Sequence, residues 1–178
     1  MRKLLDAAVG ELARSPYSEL TVRSVAARAG VSPTTAYTYF PSKDALIAEV
    51  YLRLLRAAPV HVDVNQSAET RVKAQLRDLL LLVADKPHLA DACTTAVMAD
   101  DGMVDEVRAR IAGEIGRRIV SSLGPGYRPE MAQTLHLVFS GATVHARSNP
   151  AGYAQVADQL DTAVAQVLRS APEDGRRG

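Results

Sequence analysis

Between Ser32 and Lys43 the sequence reads SPTTAYTYFPSK. Thr34, Thr35, Thr38 and Tyr39 share the outer side of a short helical segment, while Ala36 and Phe40 take its inner side. Thr and Tyr are poor helix formers, so helix propensity does not explain why they gather here. Hydroxyls held on one surface suit hydrogen bonding to phosphate oxygens and to base edges. Tyr37 and Tyr39 place hydroxyls where phosphates can be held. Lys43 follows at the start of another predicted helix, where its charge and the free backbone N–H groups attract a phosphate.

Other reactive residue types do not assemble. His61, His88, His136 and His145 are dispersed, and none has metal-ligand spacing to acids or cysteine. His136 and His145 share one predicted helix but point about 180° apart around it. Asp100 and Asp101 read as a loop and helix cap rather than a catalytic pair. Cys93 is the single cysteine and falls mid-helix, so no intrachain disulfide forms and a reducing compartment is expected. There is no phosphate-binding glycine loop and no nucleophile elbow. The expectation is a protein that is not an enzyme, with no metal and no cofactor.

The hydroxyl-rich helix needs a support. Thr21 can cap a short preceding helix that carries Val22, Val25, Ala26 and Ala29. Ala26 is small enough for a second helix to cross closely. Gly30 supplies a turn that tolerates positive φ, and Val31 anchors the far side of that turn. Ser32 and Pro33 then open the next helix as N-cap and first residue. This is the geometry of a helix-turn-helix whose second helix enters the major groove. A tight helical hairpin with a glycine turn has the same spacing. The Thr/Tyr surface and Lys43 favour the DNA reading.

A chain of 178 residues with 47% apolar content holds one or two domains and a sizeable core. Ala, Leu and Val supply most of that bulk and Trp is absent, which favours closely packed helices. Net charge is +3 over residues 1–56 and −2 over the rest, a basic N-terminal part on a mildly acidic body. Arg outnumbers Lys and Ala is abundant, as in the GC-rich genomes of actinobacteria. The longest strongly apolar run, Leu79 to Ala84, is too short to span a bilayer, and no signal-peptide pattern opens the sequence. A cytoplasmic protein is expected.

Helical periodicity predicts an all-α fold of about nine helices with no strand. They run from Arg2 to Arg14, after Thr21, from Pro33 to Pro41, and from the Ser42 cap toward Ala57. Four more span Ala68 to Asp85, Pro87 through Val97, Val104 to Leu123, and Pro129 to Ala146. The last spans Tyr153 to Arg169. Gly124-Pro125-Gly126 and Ser148-Asn149-Pro150 are breakers.

Residues 3–50 resemble the DNA-binding domain of the TetR family of bacterial repressors, through LTVRSVAARAGVS and then TTAYTYFPSKDAL. Pro33-Thr34 departs from the pattern, since many members carry a glycine after one variable residue; this bears on base preference rather than fold. By position, the resemblance implies base-edge contacts for Arg23, Pro33, Thr34, Thr35 and Tyr39. It implies phosphate contacts for Thr21, Tyr37 and Lys43. Arg23 either pairs bidentately with a guanine or forms a surface ion pair with Glu19 or another acid. Tyr37 either faces phosphate or is partly core. The sequence opens on the first helix without the basic arm that some members lay in the minor groove, so either modest affinity or a trimmed N-terminus is expected.

The resemblance also implies a division into a helix-turn-helix domain (1–41), a helical effector-binding and dimerisation domain (42–170) and a flexible tail (171–178). Members typically dimerise through their last two helices. Here those carry Leu135, Val138 and Ala142, then Val156, Leu160, Val164 and Val167, and the first of the two is apolar around most of its girth. Effector pockets of the family lie among the middle helices. Apolar candidates are Leu55, Leu80, Val83, Cys93, Val97, Met98, Ile115 and Phe139; polar ones are Thr94, Gln133 and His136. Three stretches are similar to the KstR-type repressors of actinobacterial steroid catabolism: AYTYFPSKDALIAEVYLRLLRAAPVHVDVN, VADKPHLADACTTA and ARIAGEIGRRI. That similarity implies a large, flat, apolar effector such as a steroid acid or its coenzyme A thioester. The expected function is a homodimeric, ligand-responsive repressor on a palindromic DNA operator. The alternative is a helical dimeric adaptor that does not bind DNA.

Overall fold

The computed structural model describes residues 1–149 and 152–169; residues 150, 151 and 170–178, with the predicted tail, lie outside the described residues. Among the described residues there are nine α-helices and no strand. They are α1 (Arg2–Leu12), α2 (Val22–Ala29), α3 (Pro33–Tyr39), α4 (Lys43–Ala57), α5 (Ala68–Leu81), α6 (Pro87–Met98), α7 (Asp105–Leu123), α8 (Pro129–Ser148) and α9 (Gly152–Arg169). The all-α expectation holds. A 3₁₀ turn at Tyr17–Glu19, too short to show a period, lies between α1 and α2. Helix α5 ends at Leu81, not at Asp85. Beyond it Lys86 N–H donates to the Val83 carbonyl at 3.0 Å, and Pro87 disfavours helical backbone at the residue before it.

The chain divides into two compact units. The first holds residues 1–57 and 82–114, that is α1 to α4, α6 and the beginning of α7. Here α1 packs on α2 and α4, and α4 packs on α6. Its core includes Leu4, Ala8, Val25, Leu46, Ile47 and Ala92, all buried. The second unit holds residues 58–81 and those from 115 onward, that is α5, the rest of α7, α8 and α9. Here α5 and α8 both pack on α9 around Leu76, Leu79, Phe139, Val156 and Leu160. Arg77 of α5 donates to Asp158 and Asp161 of α9 at 2.7 and 2.6 Å.

Three arginines donate to backbone carbonyls, and Arg108 also pairs with Asp105. In the first unit, Arg108 donates to the Val97 and Ala99 carbonyls (2.8 and 2.7 Å) at the end of α6. In the second, Arg71 donates to the Ser122 and Leu123 carbonyls (2.8 and 3.0 Å) at the end of α7 and to Asp63 and Gln66. Arg118, itself buried, donates to Ala58 and Pro59 at 3.0 and 2.8 Å. Helix C-termini leave carbonyls without intrahelical partners, and a cation there also opposes the helix dipole.

Candidate nucleic-acid interface

Two caps and one turn set the angle between α2 and α3. Thr21 Oγ1 accepts from Ser24 N–H at 3.0 Å and Ser24 Oγ accepts from Thr21 N–H at 3.3 Å, a reciprocal capping box. At the other end Gly30 takes φ 65°, left-handed backbone that a side chain would strain. Gly30 N–H reaches Ala27 and Val31 N–H reaches Ala26 (3.2 and 3.0 Å), closing a Schellman turn. Ser32 Oγ then accepts from Thr35 N–H at 3.1 Å, with Pro33 in the first helical turn. Ala26 and Ala36 are fully buried, which lets the helices approach closely.

Helix α3 buries only Ala36 of its seven residues. Pro33, Thr34, Thr35, Tyr37, Thr38 and Tyr39 are all exposed, as are Thr21, the N-cap of α2, and Arg23 within it. Tyr37, left open between core and surface by the sequence, is 47% exposed, and Tyr39 is 54% exposed. Arg23 pairs with no carboxylate among the described residues, Glu19 included. Two hydroxyls on this face are already committed: Thr35 Oγ1 lies 2.9 Å from Ser32 Oγ in the cap, and Thr38 Oγ1 donates to the Thr34 carbonyl at 3.0 Å. Thr21 is likewise committed to its capping box.

Lys43 is half-buried at the start of α4. Its ammonium donates to the Tyr17 carbonyl at 3.1 Å and stands 4.3 Å above the Tyr17 ring. The Tyr17 hydroxyl donates to Asp44. Burial, and then the Asp44 carboxylate, push that hydroxyl far above its ordinary range, so it stays a donor. Arg28 lies against Gly10, where a Cβ would sit 2.9 Å from Nε, and pairs with Glu11 at 3.2 Å. Sequence reasoning passed over Tyr17, Asp44 and the Arg28–Glu11 pair, because no periodicity or motif marks them.

Beside the C-terminal end of α3, still within the first unit, runs a groove of about 380 Å³. Tyr39, Phe40, Ala45, Val107 and the Glu49–Arg110 ion pair line it; both bonds of that pair are 3.0 Å. None of the residues singled out for an effector lines this groove.

Those residues are divided between the units. Leu55, Val83, Cys93 and Thr94 are buried in the first unit, with Val97 half-buried and Met98 exposed. Leu80, Ile115 and Phe139 are buried in the second, with His136 half-buried and Gln133 exposed. Burial lowers the His136 pKa, and burial pushes the Cys93 thiol up to about 12. Of the residues read as a dimer face, Leu135, Val156, Leu160 and Val164 are buried within the single chain, where α8 packs on α9. Val138, Ala142 and Val167 are half-buried. The exposed apolar residues of α8 are instead Leu137 (75%) and Val144 (46%). Among the described residues no three His, Cys, Asp or Glu side chains come together as metal ligands, and no helix is long and apolar enough to cross a membrane.

Residues 4–50 match the model of the tetR family of bacterial regulatory proteins. An uncharacterized HTH-type transcriptional regulator of Mycobacterium tuberculosis is 48% identical over 179 residues, covering 99% of this chain and 84% of the relative. Among solved structures, a TetR transcriptional regulator from Rhodococcus sp. RHA1 superposes with TM-score 0.83 at 17% identity, covering 97% of this chain and 99% of that one. Thermus thermophilus FadR, a TetR family repressor in complex with lauroyl-CoA, gives TM-score 0.73 at 17% identity, with 98% of each chain covered.

Proposed function

We propose, from the premise that this chain belongs to the TetR family of bacterial regulatory proteins and is a DNA-binding transcriptional regulator, that it works as a homodimeric repressor. A small apolar effector releases it from a near-palindromic operator. The observation that carries the reading is α3, which buries one alanine and turns two tyrosines and three threonines outward. Leaving a large aromatic in water forgoes about 1.5–3 kcal/mol of burial, so such a surface is maintained for a partner. Arg23, Thr34 and Tyr39, with Pro33 and Thr35, read base edges; Thr21, Tyr37 and Lys43 hold phosphates. Residues 1–41 carry this reading, and 42–170 bind the effector and the second copy.

A second copy of the chain covers the exposed stripe of α8. Leu137, Gly141 and Val144 recur at helical spacing on one face, and nothing lies within 4 Å of a Cβ built on Gly141. A two-fold dimer presents two reading helices to two half-sites about one helical turn apart. The effector is a steroid acid or its coenzyme A thioester. The apolar majority among the effector candidates supports this, as does the lauroyl-CoA held by the neighbour of the same fold. Such a regulator works in the cytoplasm.

The test is a gel shift with DNA upstream of this protein's own gene, across a salt series. A specific shift that weakens steeply with salt is expected, and a steroid-acid coenzyme A thioester should then release the DNA. Should neither that DNA nor any sequence selected from a random pool be bound, the reading fails. Specific binding that no steroid thioester reverses removes the effector assignment alone.

A further inference from the structure

We propose that Asp101 is a positioning residue for DNA binding: it fixes the corner between α3 and α4, and so the angle at which α3 is presented. The proposal rests on α3 being the DNA-reading helix.

A seven-residue helix that buries only Ala36 has little packing of its own to hold its direction. Its orientation depends on what anchors its two ends. The N-terminal end hangs from the Gly30 turn and the Ser32 cap. The C-terminal end runs through Phe40, which is buried, and Pro41 into Ser42. Ser42 Oγ accepts from Ala45 N–H at 3.0 Å and thereby caps α4. The hydroxyl proton left over is donated to Asp101 Oδ2 at 2.6 Å, the short range of a charge-assisted bond.

Asp101 is itself held still. Its Oδ1 accepts from Met103 N–H at 2.9 Å, and its backbone carbonyl accepts from the buried Val104. Just upstream, Arg108 grips the carbonyls of Val97 and Ala99. The Ser42 and Met103 bonds hold the carboxyl below the usual carboxylate range, so it is an anion at neutral pH. The corner after the reading helix is thus tied to a rigid post that lies 59 residues further along the chain. An ordinary surface cap would need only Ser42; the second bond to a fixed carboxylate is what a cap does not require.

The experiment is a double-mutant cycle on the full chain, read by affinity for DNA selected from a random pool by the unsubstituted protein. Asp101→Ala should weaken binding about tenfold and lower the melting temperature by a few degrees, since the charge-assisted bond it removes is present in the free protein as well. Asp101→Asn keeps an acceptor for the Ser42 proton and should recover most of the loss. In a Ser42→Ala background, Asp101→Ala should have almost no further effect on DNA affinity. If Asp101→Ala unfolds the protein, the Asn variant and the Ser42→Ala background still decide. Affinity unchanged by Asp101→Ala, or a loss that persists undiminished without the Ser42 hydroxyl, overturns the proposal. If the unsubstituted protein selects no sequence, the DNA reading of α3 fails first and the proposal falls with it.

Discussion

Arg23 stands on the exposed side of α2 with no carboxylate to hold it, so its guanidinium is available to a guanine edge. Arg23→Ala should relax preference at one base pair per half-site while other positions keep theirs; selection on random DNA that returned an unaltered sequence preference would count against this. Gly30→Ala should cost about 1–2 kcal/mol through left-handed strain alone, since nothing crowds the added methyl. Urea unfolding measures that loss. Cys93 reads from the sequence as inert core, and burial does push its thiol up to about 12 from 9.0. The thiol should therefore resist iodoacetamide in the native protein at pH 8 and react once urea is added. By linkage, its contribution to stability is present below pH 9 and fades as pH rises toward 12. These residues were legible because turn chemistry and apolar period act locally. The commitments of Thr35 to Ser32 and of Lys43 to Tyr17 were not, because composition shows a hydroxyl or an amine but not where its hydrogen bond goes.

Helix positions followed from period, caps and breakers, and α5 alone fell clearly short of its expected end. What the pattern hid was how helices finish. The excess of arginine looked like genome composition, yet Arg71, Arg108 and Arg118 each donate to main-chain carbonyls, two of them at helix ends. Bidentate capture of carbonyls needs the flat guanidinium fork, which an ammonium cannot imitate. Arg71→Lys should therefore destabilise the protein by about 1–3 kcal/mol, on the scale of hydrogen bonds to charged groups. Chemical denaturation checks this, and stability equal to the unsubstituted protein would show that the charge alone suffices. No sequence signal separates such an arginine from a solvated one, since its partners are backbone atoms of any residue type.

At the scale of the whole molecule, the apolar girth of α8 predicts two buried sides but not which residue belongs to which. The structure assigns Leu135 and Phe139 to the chain's own core and leaves Leu137 and Val144 outside. Leu137→Glu should give monomers in sedimentation and weaken operator binding together. A persistent dimer would remove the α8 stripe from the interface, whereas a monomer with full affinity would remove the need for two copies. Leu135→Ala should instead lower thermal stability, by about 2–5 kcal/mol for a buried leucine.

The backbone passes between the two compact units at residues 57/58, 81/82 and 114/115, and the last passage falls inside α7. Residues 1–57 and 82–114 share one compact unit, so the gene segment for residues 1–57 alone leaves part of that unit's packing behind. Recombination that swaps a DNA-reading end between relatives at a single junction would strand part of that unit's core with the wrong parent.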